Sequence, residues 1–249
     1  MSENIVILGA GSGIAKALCQ RMATRGCDLV LCGRNTKELQ RDADDLKTRH
    51  QANATVLEFD ALNFDSHNEL WNQCLAQFDG KVDGVVLCFG TLPDQKACED
   101  DSSQLRSAID VNLTAAASIL HPIAAHFESK KSGWLAVISS VAGDRGRQSN
   151  YVYGAAKAGL TTFLAGLRNR LQPAGVHVLT IKPGFVATPM TVGILDPKSP
   201  MVASPEQVAR DIERAIAKRR NVIYTRWFWK WIMLIIRNIP EPIFKRLKL

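Results

Sequence analysis

Short runs of β-branched and other apolar residues alternate along this chain with longer amphipathic stretches, the order expected of parallel strands joined by crossover helices. The apolar runs predict strands near Ile5–Leu8, Asp28–Cys32, Thr55–Phe59, Gly84–Cys88, Gly133–Ser139, His177–Lys182 and Asn221–Thr225. Helical periodicity fills the gaps near 13–25, 36–50, 65–78, 102–127, 152–172 and 205–219. Together they predict one α/β domain over 1–225: a doubly wound, mainly parallel sheet of seven strands with helices on both faces. The last of these helices opens Ser204-Pro205-Glu206-Gln207, with Ser as N-cap, Pro at the first helical position and Gln closing a capping box. Before it, residues 183–203 carry Pro183, Pro189, Pro197 and Pro200 without a clear period and read as a lid or binding loop.

The pattern changes after residue 225. Trp227, Trp229 and Trp231 precede the run Ile232-Met233-Leu234-Ile235-Ile236, and on a helical wheel Arg226, Lys230 and Arg237 share one narrow stripe. The apolar run is far short of the roughly 20 residues that span a bilayer. Pro240 and Pro242 end this helix before a second basic-apolar piece, Ile243–Leu249. Residues 226–249 thus read as an amphipathic basic tail. A Trp-rich face with a cationic stripe suits an in-plane helix on an anionic membrane surface; the same face could instead pack on the chain's own fold or on a second subunit.

Composition narrows the class. Of 249 residues, 46% are hydrophobic and 22% charged, a globular mix that disfavours disorder, collagen-like repeats and a multi-span membrane protein. The net charge of +7 belongs to the end of the chain: from Lys218 onward nine Lys/Arg face one acid, Glu241, and the rest balances to −1. That asymmetry argues against a nucleic-acid partner, which would favour a basic face on the body. Cys19, Cys27, Cys32, Cys74, Cys88 and Cys98 show no C-x-x-C spacing, and no basic leader precedes an apolar stretch, so reduced thiols and a cytoplasmic location are expected. The five histidines form no zinc-ligand spacing, and no metal is expected.

Chemistry is legible at two places. After the first strand, Gly9-Ala10-Gly11-Ser12-Gly13-Ile14-Ala15 leads into a helix, a turn that lets backbone N–H groups approach a pyrophosphate. The second strand ends Gly33-Arg34, offering a guanidinium rather than a carboxylate to the adenosine ribose; this favours NADP(H) and leaves NAD(H) open. Asp60, followed by Ala61, either accepts from an adenine amino group or caps a strand end. Farther on, Ser139-Ser140 closes an apolar strand and Tyr153 and Lys157 stand at i and i+4 on the next helix. An ammonium beside a phenol is expected to lower the phenol's pKa from about 10 toward the range of a working acid. Tyr151 competes as a base but has Ala155 at i+4. Asn112, inside a long helix, either holds a water in a proton relay or faces solvent.

These residues resemble the short-chain dehydrogenase/reductase family over nearly the whole chain. The resemblance implies a Rossmann-type fold and a catalytic set of Asn112, Ser140, Tyr153 and Lys157, with Tyr153 as proton donor in carbonyl reduction. It places the nucleotide against Gly9, Gly11, Ser12, Gly13, Ile14, Arg34, Asp60, Ala61, Gly90, Tyr153 and Lys157, and the nicotinamide beside Pro183, Gly184, Val186 and Thr188. Ala15 stands where the family has its third glycine, Leu87-Cys88-Phe89-Gly90 replaces Asn-Asn-Ala-Gly, and Leu8 replaces a usual Thr. The Cys88–Leu92 and Ser140–Tyr151 stretches, with the tail, resemble the decaprenylphosphoryl-2-keto-pentose reductases. This implies a lipid-linked keto-sugar substrate at the cytoplasmic membrane face. A soluble acyl, steroid or small carbonyl substrate is the alternative, and a nucleotide-sensing scaffold without turnover is a third reading. Ala155, Ala156, Ala158, Gly159 and Gly166 on the 152–172 helix suggest a homo-oligomer, a dimer or tetramer.

Overall fold

Alternation within the strands decides which helices cover each face. In the computed structural model, which describes residues 3–191, 196 and 199–247, the chain begins β1 (Asn4–Leu8), α1 (Gly13–Thr24), β2 (Asp28–Gly33), α2 (Thr36–His50) and β3 (Ala54–Glu58). It continues with α3 (His67–Ala76), β4 (Gly84–Leu87), α4 (Gln95–Asp100), α5 (Ser102–Ile109), α6 (Ala115–Lys130) and β5 (Trp134–Ile138). Then come α7 (Tyr151–Leu171), β6 (His177–Pro183), β7 (Phe185–Val186), β8 (Val202–Ala203), α8 (Pro205–Ala217), β9 (Val222–Thr225), α9 (Trp229–Asn238) and α10 (Glu241–Phe244).

All seven expected strands pair in parallel, in the order β3-β2-β1-β4-β5-β6-β9. Ile5, Ile7, Leu29, Leu31, Val86 and Ala136 project to the layer of α1, α2 and α8, whereas Val6, Leu8, Val30, Val85, Leu87 and Val137 project to that of α3, α6 and α7. A one-residue slip would exchange the two sets and misfit both layers, so the pairing Ile5↔Leu29 and Ile5↔Gly84 is well specified. Strand order reverses between β1 and β4, the point where α/β sheets open a crevice at the carboxyl ends of their strands.

Several local features depart from the periodic reading. The expected helix 102–127 is α5 and α6 joined by a π-helical turn at Asp110–Thr114, which buries Asn112. By length and hydropathy the continuous stretch Ser102–Lys130 could cross a bilayer, yet Ile119, Leu120, Ile123 and Phe127 are buried under the sheet, which makes it a core helix. Helix α4 was not foreseen; Asp94 caps it by accepting from Ala97 N at 2.7 Å. Within 183–203, β7 and β8 form a two-residue parallel pair, and Thr191 Oγ1 donates to Val186 O at 2.6 Å; residues 192–195 and 197–198 of the expected lid lie outside the described residues. The capping box at Ser204 and Gln207 is present.

The tail divides its apolar surface. Trp229 and Met233 are buried with Val141, and Trp229 rests directly on Gly184, while Trp227, Trp231, Leu234 and Ile235 face outward. Arg145 holds the far end: its Nη1 donates to Ile236 O and Ile239 O at 2.7 and 2.6 Å, and its Nη2 to the Glu241 carboxylate at 2.9 Å.

Candidate active site

The glycine turn closes the crevice at β1. Gly9 adopts φ +81°, and a Cβ there would stand 2.6 Å from Phe89 N, so a side chain is excluded twice. Nothing lies within 4 Å of a Cβ built on Gly11, which leaves that side of the turn open for a ligand's backbone contact. Ser12 caps α1 by accepting from Ala15 N at 3.2 Å, and Ile14 packs on the core. The buried Ala15 fits where the family has glycine because its methyl lies within the α1 core layer. Thr188 approaches the same turn, its Cγ2 3.5 Å from a Cβ built on Gly13, which brings the segment with Pro183, Gly184 and Val186 beside the nucleotide end.

Arg34 is exposed at the end of β2 and has no hydrogen bond or ion pair among the described residues, as a phosphate-binding guanidinium requires. Asp60 Oδ1 accepts from Leu62 N at 3.1 Å, a strand-end cap that leaves its second carboxylate oxygen for an adenine amino group, and Ala61 O accepts from His67 Nε2 at 3.1 Å. These observations fit a dinucleotide laid from Arg34 across the turn toward Thr188.

On the other side, Tyr153 and Lys157 extend toward the crevice the inward stripe formed by Leu160, Leu164, Leu167 and Leu171 on α7. The Ser140 hydroxyl acts on the Tyr153 phenol, favouring its ionised form, while Ser140 Oγ accepts from Ala142 N at 3.0 Å. Lys157 is buried and donates to Ile138 O at 3.2 Å. Burial lowers its pKa to about 8. The expected drop in the phenol's pKa is not what these contacts produce. Burial raises Tyr153, the Ser140 hydroxyl pulls it partly back, and Lys157 Nζ lies 5.8 Å from the ring centroid. Tyr151 is exposed and its hydroxyl donates to Glu99 at 3.3 Å, away from Ser140.

Asn112 is buried, so the solvent-facing alternative falls. Its Nδ2 donates to Thr91 O and Ala108 O, both at 2.9 Å, and its Oδ1 accepts from Thr91 N at 3.1 Å. A Cβ on Gly90 would stand 2.8 Å from that Oδ1 and 3.4 Å from Lys157 Nζ, which explains glycine at the end of β4. Asn112 thereby sets the wall against which Lys157 lies.

Sequence reasoning missed three supports. Ser139 donates to Lys157 O at 3.1 Å and ties β5 to α7. Gln95 Oε1 accepts from Val152 N at 3.1 Å and caps α7, where Asn150 makes no cap bond. Beneath the Ser140 segment, Asp144 pairs with Lys182 at 2.5 Å and accepts from the Tyr224 hydroxyl at 2.7 Å. Only Asp94, as a local cap ahead of Gln95, left a readable signal.

The model of the short chain dehydrogenase family matches residues 3–198. The chain belongs to this family. As a short-chain dehydrogenase it is an oxidoreductase of a family that binds NAD(P). It is 35% identical over 243 residues to an uncharacterized oxidoreductase of Mycobacterium tuberculosis, covering 98% of this chain and 96% of the relative. An uncharacterized oxidoreductase of Streptomyces coelicolor is 32% identical over 251 residues, with the same coverage of 98% and 96%. In fold it is similar to a short-chain dehydrogenase from Sphingobium yanoikuyae in complex with NADPH, at TM-score 0.82, 22% identity and coverage of 96% and 97%. A variant of the actinorhodin polyketide ketoreductase with NADPH gives TM-score 0.82 at 20% identity, covering 92% and 97%.

Proposed function

We propose that this short-chain dehydrogenase is an NADPH-dependent ketoreductase acting on a keto sugar carried by a polyprenyl phosphate. The observation that carries the chemistry is the convergence of three groups: the Ser140 hydroxyl acts on the Tyr153 phenol, and the buried Lys157 Nζ lies 5.8 Å from the Tyr153 ring. Gly9–Gly13 would hold the pyrophosphate, Arg34 a 2′-phosphate, Lys157 the nicotinamide ribose and Thr188 the carboxamide. The bound nicotinamide supplies a hydride to the carbonyl carbon. Ser140, its oxygen already engaged by Ala142 N, directs its proton at the substrate oxygen and steadies the charge forming there. Tyr153 then delivers its phenolic proton to that oxygen. The Lys157 ammonium stabilises the phenolate left behind, and Asn112, through its bonds to Thr91, fixes the Gly90–Thr91 turn beside Lys157.

NADPH-bound structural relatives support the cofactor. Arg34→Glu is expected to raise KM for NADPH about 10–100-fold and leave KM for NADH nearly unchanged, as steady-state kinetics would show. Because Lys157 is held near 8, kcat/KM is expected to fall as pH rises through that value. Lys157→Arg, whose guanidinium stays charged, moves this limb upward. Stability runs the other way. The depressed value means the unfolded chain binds the proton more tightly, so this group costs stability below about 8, and the cost fades as pH approaches 10.5.

The lipid-linked substrate is supported by the outward Trp227, Trp231, Leu234 and Ile235 beside Arg226 and Lys230, a surface fit for the cytoplasmic face of an anionic membrane. NADPH consumption with a keto-sugar polyprenyl phosphate, set beside a water-soluble ketone, tests it. Preference for the soluble ketone overturns the lipid reading. The outward small residues Ala155 and Gly166 of α7 support a homodimer, and a monomeric mass in light scattering would count against it.

A further inference from the structure

Five arginines on this protein pair with acids among the described residues. Arg21 and Arg25 meet Glu213, Arg49 meets Asp45, Arg145 meets Glu241 and Arg170 meets Glu128. An open groove of about 490 Å³ between α8, β9 and the start of the tail gathers five cations instead. Arg210, Arg214 and Lys218 line it at i, i+4 and i+8 along α8, and Arg220 and Arg226 close it from the ends of β9. None of the five makes an ion pair among the described residues. Arg226 Nη1 donates to Pro200 O at 2.5 Å and is thereby fixed in place. The single acid in the groove, Asp211, is partly buried, and Arg214, Arg210 and Arg226 all act on it.

Like charges at i, i+4 destabilise a helix by a few tenths of a kcal/mol per pair, and against the five cations here stand two acids, Asp211 and Glu206, the latter acting on Arg210. Breaches of a local rule concentrate at functional sites. Guanidinium forks converging on one groove suit phosphate oxygens. The groove also runs into the tail's outward apolar face, since Trp227 lines it and is 72% exposed. A second copy of the chain is a poor occupant, because a two-fold contact would set these cations against themselves.

We propose that this groove binds the phosphate of an anionic phospholipid headgroup while Trp227 and its outward neighbours enter the acyl boundary. The proposal rests on the membrane reading above and adds a stereospecific contact to it. A free phosphorylated small molecule shares the chemistry, and the test separates the two sources.

The full chain and its R210Q/R214Q/K218Q variant are floated with phosphatidylcholine vesicles with and without phosphatidylglycerol. They are also titrated with glycerol phosphate. The three cations are exposed, so the variant is expected to melt as the parent does. The expected result is binding only to phosphatidylglycerol vesicles, weakened about 10–100-fold in the variant. Equal binding of parent and variant to those vesicles overturns the headgroup site and leaves the membrane reading standing, as does equal binding of the parent to both vesicle types. No flotation with saturable glycerol phosphate binding, lost in the variant, overturns the lipid source and the membrane reading together and assigns the groove to a soluble ligand. Neither flotation nor titration overturns both proposals outright.

Discussion

Tyr153→Phe is expected to lower kcat about 10²–10⁴-fold while leaving NADPH affinity, read by fluorescence titration, within about twofold of the parent. The substitution removes one hydroxyl and keeps the ring, so the fold and the neighbouring Lys157–Ile138 bond are undisturbed. What it deletes is the proton that must reach the substrate oxygen. Burial raises the phenol and keeps it protonated at neutral pH; the Ser140 hydroxyl offsets part of that rise. Turnover of Tyr153→Phe equal to the parent's would remove the basis of the ketoreductase mechanism.

The second large effect is on stability. Asp144 and Lys182 form a buried pair, their side chains 2% and 9% exposed, and Tyr224 donates to the same carboxylate. Asp144→Ala would strand the Lys182 ammonium and the Tyr224 hydroxyl in that interior, at a cost of about 3–5 kcal/mol. For a chain of this size the midpoint of thermal unfolding is expected to fall by roughly 6–20 °C. The double change Asp144→Leu with Lys182→Met removes both charges and is expected to recover most of the loss. A single variant that melts with the parent would show the pair to be dispensable. Because Asp144 lies four residues after Ser140, the single variant is also expected to lower activity at temperatures where it remains folded.

What was legible in the sequence was what is local. The strand alternation, the glycine turn and the Tyr153–Lys157 spacing each lie within one helix or turn, so period and residue type report them directly. Asp144, Lys182 and Tyr224 are 38 and 80 residues apart and meet only because β5, β6 and β9 are neighbours. Nothing along the chain marks them as partners. Helix α4 has six residues and β7 and β8 two each, too short for a period to register. The π-helical turn at Asn112 does not interrupt the apolar pattern, so α5 and α6 read as one helix. In the tail, the wheel located the apolar arc but could not show that Trp229 and Met233 turn inward while Trp231 and Ile235 turn out.

The inward pair has a practical corollary for anyone shortening the protein. Cutting after residue 225 would strip the lid from Val141 and Gly184 and release Arg145 from its carbonyls, wetting a greasy seam next to Ser140. Such a trimmed enzyme would be stickier, and its idleness would say little about lipid. Point changes on the outer arc, where Trp231 and Ile235 stand clear, separate the tail's two duties without that confusion.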